Sequence, residues 1–133
     1  MESATHVRVE SEVDIVLARQ HGRAMAQELG FTTGNATIIA TAISELARNI
    51  VQYAKHGEVL VGRIENGSRK GLVVMVRDQG PGISDVERAM QDGFSTSGRL
   101  GLGLPGVRRL MDEFDIHSEQ GRGTTVTVTK WKV

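Results

Sequence analysis

Cysteine is absent from the 133 residues, so neither a disulfide framework nor a thiolate metal site is available. That absence fits a reducing compartment, and the cytoplasm is expected. Charge of one sign is missing as well, with 16 Lys and Arg against 16 Asp and Glu. Nucleic acid or an anionic membrane normally calls for a basic surplus, so neither is expected as a partner. The longest apolar run is a handful of residues, too short to span a bilayer. Met1-Glu2-Ser3-Ala4-Thr5-His6 also lacks the basic and apolar regions of a signal peptide. Proline is scarce, at two, and no Gly/Ser linker or internal repeat divides the chain. One domain over residues 1–133 is expected, long enough to bury its own core.

Glycine is what the sequence has in excess. Sixteen occur, and seven of them (positions 80, 82, 93, 98, 101, 103 and 106) fall within 27 residues. An average chain of this length would carry about nine in all. With so few prolines, disorder explains the cluster poorly.

Hydrophobic spacing predicts the elements around it. Residues 6–10 alternate as a short strand. Ser11 and Asp14 mark the start of a helix that runs to about Leu29, with Gly30 at its end. A second helix is predicted from Asn35 to Ala54, stopped near Gly57. Two strand-like runs, 58–65 and 71–78, flank the polar stretch 66–70 and read as a hairpin. Ser84-Asp85-Val86-Glu87 has capping-box spacing and predicts a short helix to Gln91. A helix from Pro105 to Phe114 follows, then strands over 115–118 and 124–131. The pattern predicts an α/β (α+β) two-layer sandwich, a mainly antiparallel sheet covered on one face by helices.

Three segments could carry chemistry. On the second helix, Ile38, Ile39, Ala42, Ile43, Leu46, Ile50 and Tyr53 share one arc at about 100° per residue. Glu45 and Asn49 fall at the edge of that arc, one turn apart, where polar groups are costly unless satisfied. Glu45 could act as a general base and Asn49 could bind Mg²⁺; equally, the pair could bond neighbouring backbone. Asp78 ends a strand on the same face as Leu72, Val74 and Val76. It could accept the exocyclic amine of adenine beside Gly80 and Gly82, or close a plain turn. Gly101, Gly103 and Gly106 form a G-x-G-x-x-G that enters a helix, as in a phosphate loop. A mobile surface loop has the same composition. No βαβ unit supports a Rossmann reading, and no G-K-[ST] supports a P-loop. His6, His21, His56 and His117 show no metal spacing.

Taken in order, E-x-x-x-N on a helix, D-x-G-x-G at a strand end and a glycine lid entering a helix resemble the Bergerat ATP-binding fold. This fold defines the GHKL superfamily of gyrase, histidine kinases and MutL. The resemblance runs from Ser44-Glu45-Leu46-Ala47-Arg48-Asn49 to Gly123-Thr124. It implies that Glu45 is catalytic and that Asn49 binds Mg²⁺. Asp78, Gly80 and Gly82 would surround adenine, Gly101, Gly103 and Gly106 would form the phosphate lid, and Thr124 would lie near the base. Arg99 corresponds to a lid arginine near the γ-phosphate, and Pro105 departs from the usual superfamily pattern in the second glycine box.

The string Ala42-Ile43-Ser44-Glu45-Leu46-Ala47-Arg48-Asn49-Ile50 and the run from Gly93 to Phe114 are similar to the bacterial anti-sigma-factor serine kinases, most of all their stressosome switch branch. No H-E/D-x-x-x-P phosphoacceptor pattern of histidine kinases is present. The resemblance implies ATP and Mg²⁺ as cofactors, with serine or threonine phosphorylation of STAS-domain proteins. A PP2C-type phosphatase would be the partner after release. Direct binding of a sigma factor, or nucleotide-gated binding without catalysis, is the alternative, and the sequence leaves a homodimer open.

Overall fold

The computed structural model describes residues 2–80 and 103–132, with side chains from residue 4 onward. The helix expected over 84–91 and the expected site residues Gly82, Arg99 and Gly101 lie outside the described residues.

Alternating apolar residues set up the sheet. β1 (Glu2–Val9), β2 (Gly57–Asn66), β3 (Arg69–Asp78), β4 (Glu113–Glu119) and β5 (Gly123–Trp131) lie in the order β1-β2-β3-β5-β4. Every neighbouring pair is antiparallel. The polar stretch 66–70 tightens to the turn Gly67-Ser68, because Asn66 pairs with Arg69 and Glu65 with Lys70. On one face, Val7 and Val9, Val59 and Val61, Leu72, Val74 and Val76, and Val126 and Val128 are buried. Every second residue is taken, as a sheet covered on one side requires. α1 (Glu12–Glu28), α2 (Thr33–Asn49) and α3 (Gly103–Leu110) supply Ile15, Met25, Ile39, Ile43, Leu46 and Val107 to the same core. The chain forms the expected two-layer α/β sandwich.

Local chemistry explains where the helices begin. Ser11 caps α1, and Asp14 Oδ2 accepts the Ser11 N–H at 3.2 Å and the Glu10 N–H at 2.9 Å. Thr32 Oγ1 accepts the Asn35 N–H at 3.1 Å at the start of α2.

Two helix ends differ from expectation. α2 does not continue to Ala54 as an α-helix. Ile50–Ala54 widens into a π-helical turn, closed by the Lys55 N–H on the Ile50 carbonyl at 2.8 Å. The wider turn takes Tyr53 off the apolar arc that α-helical spacing assigns to it, and Tyr53 is exposed. α3 ends at Leu110, short of Phe114, because Asp112 diverts the chain. Its N–H bonds the Thr129 carbonyl at 2.9 Å, and its Oδ2 accepts the Trp131 N–H at 2.7 Å. Lys130 Nζ caps the helix by donating to the Leu110 carbonyl at 3.0 Å. Phe114 enters β4 opposite Val128. No described helix is long and apolar enough to cross a membrane.

Candidate functional site

α2 presents Glu45 and Asn49 one turn apart, both part-buried, among the buried Ala42, Ile43, Leu46 and Ala47. The wheel therefore places both correctly, on the rim of the core. The Glu45 side chain is 12% exposed, and its Oε1 accepts from Arg48 Nη1 at 3.2 Å. Sequence reasoning missed Arg48, although its i,i+3 spacing from Glu45 was a usable signal. The guanidinium compensates a carboxylate that burial alone would penalise.

Asn49 is the last α-helical residue, and the π-helical turn that follows carries the chain to Ala54. Ala54 lies against the loop after β3. A Cβ on Gly80 would stand 2.6 Å from the Ala54 Cβ, so only glycine lets that loop close on the extension of α2. In this way the helix bearing Glu45 and Asn49 is joined to the strand end bearing Asp78.

Asp78 sits opposite Gly57 on β2 and Thr124 on β5. Its Oδ1 accepts the Gly80 N–H at 2.9 Å, which is the turn-closing bond expected of an aspartate there. Its Oδ2 has no partner among the described residues. The turn reading and the acceptor reading are thus compatible, one oxygen for each. Gly123 grips the strand end from the other side. Its φ is +119°, and a Cβ there would stand 2.1 Å from the Asp78 carbonyl oxygen.

Thr124 is held by a residue the sequence did not single out. Ser118, directly across on β4, bonds Thr124 Oγ1 at 2.8 Å and donates to the Gly123 carbonyl at 3.3 Å. The register of the last hairpin was the only signal for it. Asp78, Ser118, Gly123 and Thr124, with His117, Glu119, Arg122 and Thr125, line a cleft of about 450 Å³. On the helix-free face, the His6 hydrogen bond, then Arg77, hold the Glu58 carboxyl below its ordinary range against the effect of burial. This ladder ties β1, β2 and β3 together one residue before Asp78.

Gly103 opens α3, and Gly106 is buried within it, where α3 packs on α2. Glu45, Asn49, Asp78, Gly80, Gly103, Gly106 and Thr124 therefore belong to one connected set of elements. The donor chemistry fits a nucleotide. Asp78 Oδ2 can accept from an amine on a base. No cluster of three or more His, Asp or Glu side chains that could hold a metal ion occurs among the described residues. A Mg²⁺ ion held there could take the Asn49 amide oxygen as a protein ligand, with phosphate oxygens and waters beyond it.

Residues 9–130 match the family model described as the histidine kinase-like ATPase domain. The chain belongs to the histidine kinase-like ATPase family. Within this ATPase family it is 53% identical over 131 residues to the serine/threonine-protein kinase RsbT of Bacillus subtilis (strain 168), covering 98% of both chains. It is also 35% identical over 121 residues to the anti-sigma F factor of Geobacillus stearothermophilus, covering 85% of this chain and 81% of that one. Among solved structures, the RsbU and RsbW domains of Rv1364c from Mycobacterium tuberculosis share the fold. There the TM-score is 0.68 at 21% identity, covering 96% of this chain and 32% of that one. Likeness along the whole chain to RsbT makes this ATPase-family member a serine/threonine-protein kinase that binds ATP and works among regulatory partners.

Proposed function

We propose that the chain is a cytoplasmic partner-switching kinase that phosphorylates a serine or threonine of a STAS-domain protein and, once released, engages a PP2C-type phosphatase. The full-length likeness to RsbT supports the choice of branch. One observation carries the chemistry: Glu45 and Asn49 share the buried edge of α2, whose extension meets the Asp78 loop at Ala54 and Gly80.

Each residue then has a distinct task. Asp78 accepts the exocyclic amine of adenine and rejects guanine, which presents a carbonyl at that position. Thr124 supports the same edge, and Gly80 and Gly82 leave room for the flat ring. Gly101, Gly103 and Gly106 would offer backbone N–H groups to the phosphates, and Arg99 would be the lid arginine for the γ-phosphate. Asn49 provides the protein oxygen for Mg²⁺. Bound Mg·ATP supplies the phosphoryl group and neutralises charge on it. Glu45 accepts the proton of the incoming hydroxyl, while Arg48 orients its carboxylate. Residues 1–133 act as a single kinase domain.

A direct test is incubation with radiolabelled ATP, Mg²⁺ and candidate STAS-domain proteins. Label should appear on a serine or threonine of one of them. No transfer to any, with nucleotide still bound, would leave a binding switch instead. The anti-sigma F relatives favour a second reading, in which the chain holds a sigma factor directly. Co-purification with a sigma factor but not with a STAS-domain protein would select it.

A further inference from the structure

α3 is short for a helix that must hold its place. It has eight residues, Gly103–Leu110, and helices below about 12–15 residues are marginal without tertiary support. Pro105, Gly106 and Val107 are buried, and α3 packs on α2. Its C-terminal end is held by β5.

The side chain that holds it breaks the pattern of the sheet. Val126, Val128 and Lys130 alternate onto the helix-covered face, and Lys130 pairs with the fully buried Leu72 of β3. A cation at such a position is costly unless it is paired. The Lys130 side chain is only 15% exposed, and its partners lie at the end of α3. Its Nζ donates to the Leu110 carbonyl at 3.0 Å and stands 3.5 Å from Asp112 Oδ1. The other Asp112 oxygen accepts the Trp131 N–H at 2.7 Å, and the Asp112 N–H bonds the Thr129 carbonyl at 2.9 Å. Thr129, Lys130 and Trp131 of β5 thus all fasten to the exit of α3. Stability alone does not ask for this ion pair, since an apolar replacement of a buried pair is often neutral or better.

We propose that Lys130 and Asp112 are positioning residues for ATP, on the reading that the first turn of α3 meets the phosphates. The ammonium complements the negative end of the helix dipole, and the latch fixes the opposite end, where backbone N–H groups face outward. Neither residue touches the nucleotide. At 1.5 Å per residue the helix sets Lys130 about 12 Å behind its first turn. That exceeds the Debye length of about 8 Å at physiological salt, so the effect travels through the placement of α3 and not through the field of either charge. Adenosine, which has no phosphate, gains nothing from the latch.

Titration of the full chain with Mg·ATP and with adenosine, followed by NMR at physiological salt, separates the two parts of the site. Lys130→Met keeps the apolar stem and should weaken ATP binding by about three- to tenfold, with adenosine affinity within about twofold of the parent. Asp112→Asn sets an amide NH₂ against one of two donors and should weaken ATP binding by about threefold or more. A direct field on the phosphates would instead give these variants opposite signs, because one loses a positive and the other a negative charge. Lys130→Arg keeps a charged donor and should stay within about twofold of the parent. The double variant should lose little more than Lys130→Met alone, since both changes open one latch. Met25→Ala opens a core cavity under α1 and controls for lost stability; it should leave the ratio of ATP to adenosine affinity unchanged. Unchanged ATP affinity in Lys130→Met, tighter ATP binding in Asp112→Asn, or equal losses for ATP and adenosine would each overturn the latch and leave the phosphate reading standing. So would a shift of the ratio in Met25→Ala as large as in Lys130→Met. A parent chain that binds ATP no better than adenosine would overturn the phosphate reading, and the latch with it.

Discussion

Asp78 and Glu45 are both carboxylates at the edge of one core, yet the chain holds them differently. Asp78 is fixed through backbone: Gly80 donates to it, Gly123 lies against its carbonyl, and strands pair on both sides. Glu45 is held through a side chain, Arg48, on a helix that changes form at the very next turn after Asn49. The first arrangement suits an acceptor that must recognise one edge of a base, where any displacement loses the hydrogen bond. The second suits a carboxylate that must turn toward an incoming hydroxyl and take its proton. Under the proposed function, binding and reaction would fall to parts held in different ways, one by backbone and one by a side chain.

The largest expected effect separates the two. Glu45→Ala should lower the phosphotransfer rate by about 10²–10⁴-fold, the usual worth of a general base, with ATP affinity nearly unchanged. Asp78→Asn should do the reverse: it replaces a charge-assisted acceptor, weakening ATP affinity by about 10–100-fold and sparing the rate at saturating ATP. Label transfer and calorimetry on the two variants check this crossing. Equal losses of affinity and rate in both variants would end the division of labour.

The Asp78 end was the easier one to read from sequence. Asp78 follows from strand alternation, and the glycines around it stand out by count. Glu45 and Asn49 were visible as polar residues on an apolar arc, but the same arc misplaced Tyr53. Nothing in the periodicity of residues 35–54 announces the π-helical turn, which ends at Ala54 against Gly80, a residue far away in sequence. The early stop of α3 also involves distant residues. It depends on Asp112 bonding the backbone of Thr129 and Trp131, which no window around Phe114 contains. Core pattern and the sequence of elements along the chain are local properties; the order of strands in the sheet and helix ends governed by tertiary bonds are not.

A middle-sized effect probes the backbone grip directly. Gly123→Ala would drive a Cβ to 2.1 Å from the Asp78 carbonyl and force alanine to hold a φ of +119°. Overpacking and backbone strain together should cost about 2–4 kcal/mol of stability. Urea denaturation measures it. Gly121→Ala, where a Cβ would meet open space at φ +84°, should cost less, about 1 kcal/mol, from conformation alone. Equal losses at the two positions would mean that contact with Asp78 contributes nothing.

The smallest effect concerns Ser118. Its hydroxyl bonds Thr124 Oγ1 at 2.8 Å, and both residues line the cleft that Asp78 also lines. Ser118→Ala removes about 1 kcal/mol of orientation from a partly buried pair, so the Michaelis constant for ATP should rise by up to about fivefold. The maximal rate should stay level, because Glu45 and Arg48 are on a different element. Ser118→Thr keeps the hydroxyl and should restore the parent value. Thr124→Ala should raise the same constant at least as far, and adding Ser118→Ala to it should change little, since the Thr124 hydroxyl that Ser118 orients is then already gone. Additive losses would place Ser118 in independent contact with the nucleotide, and a fall in maximal rate would couple the Asp78 end of the site to Glu45.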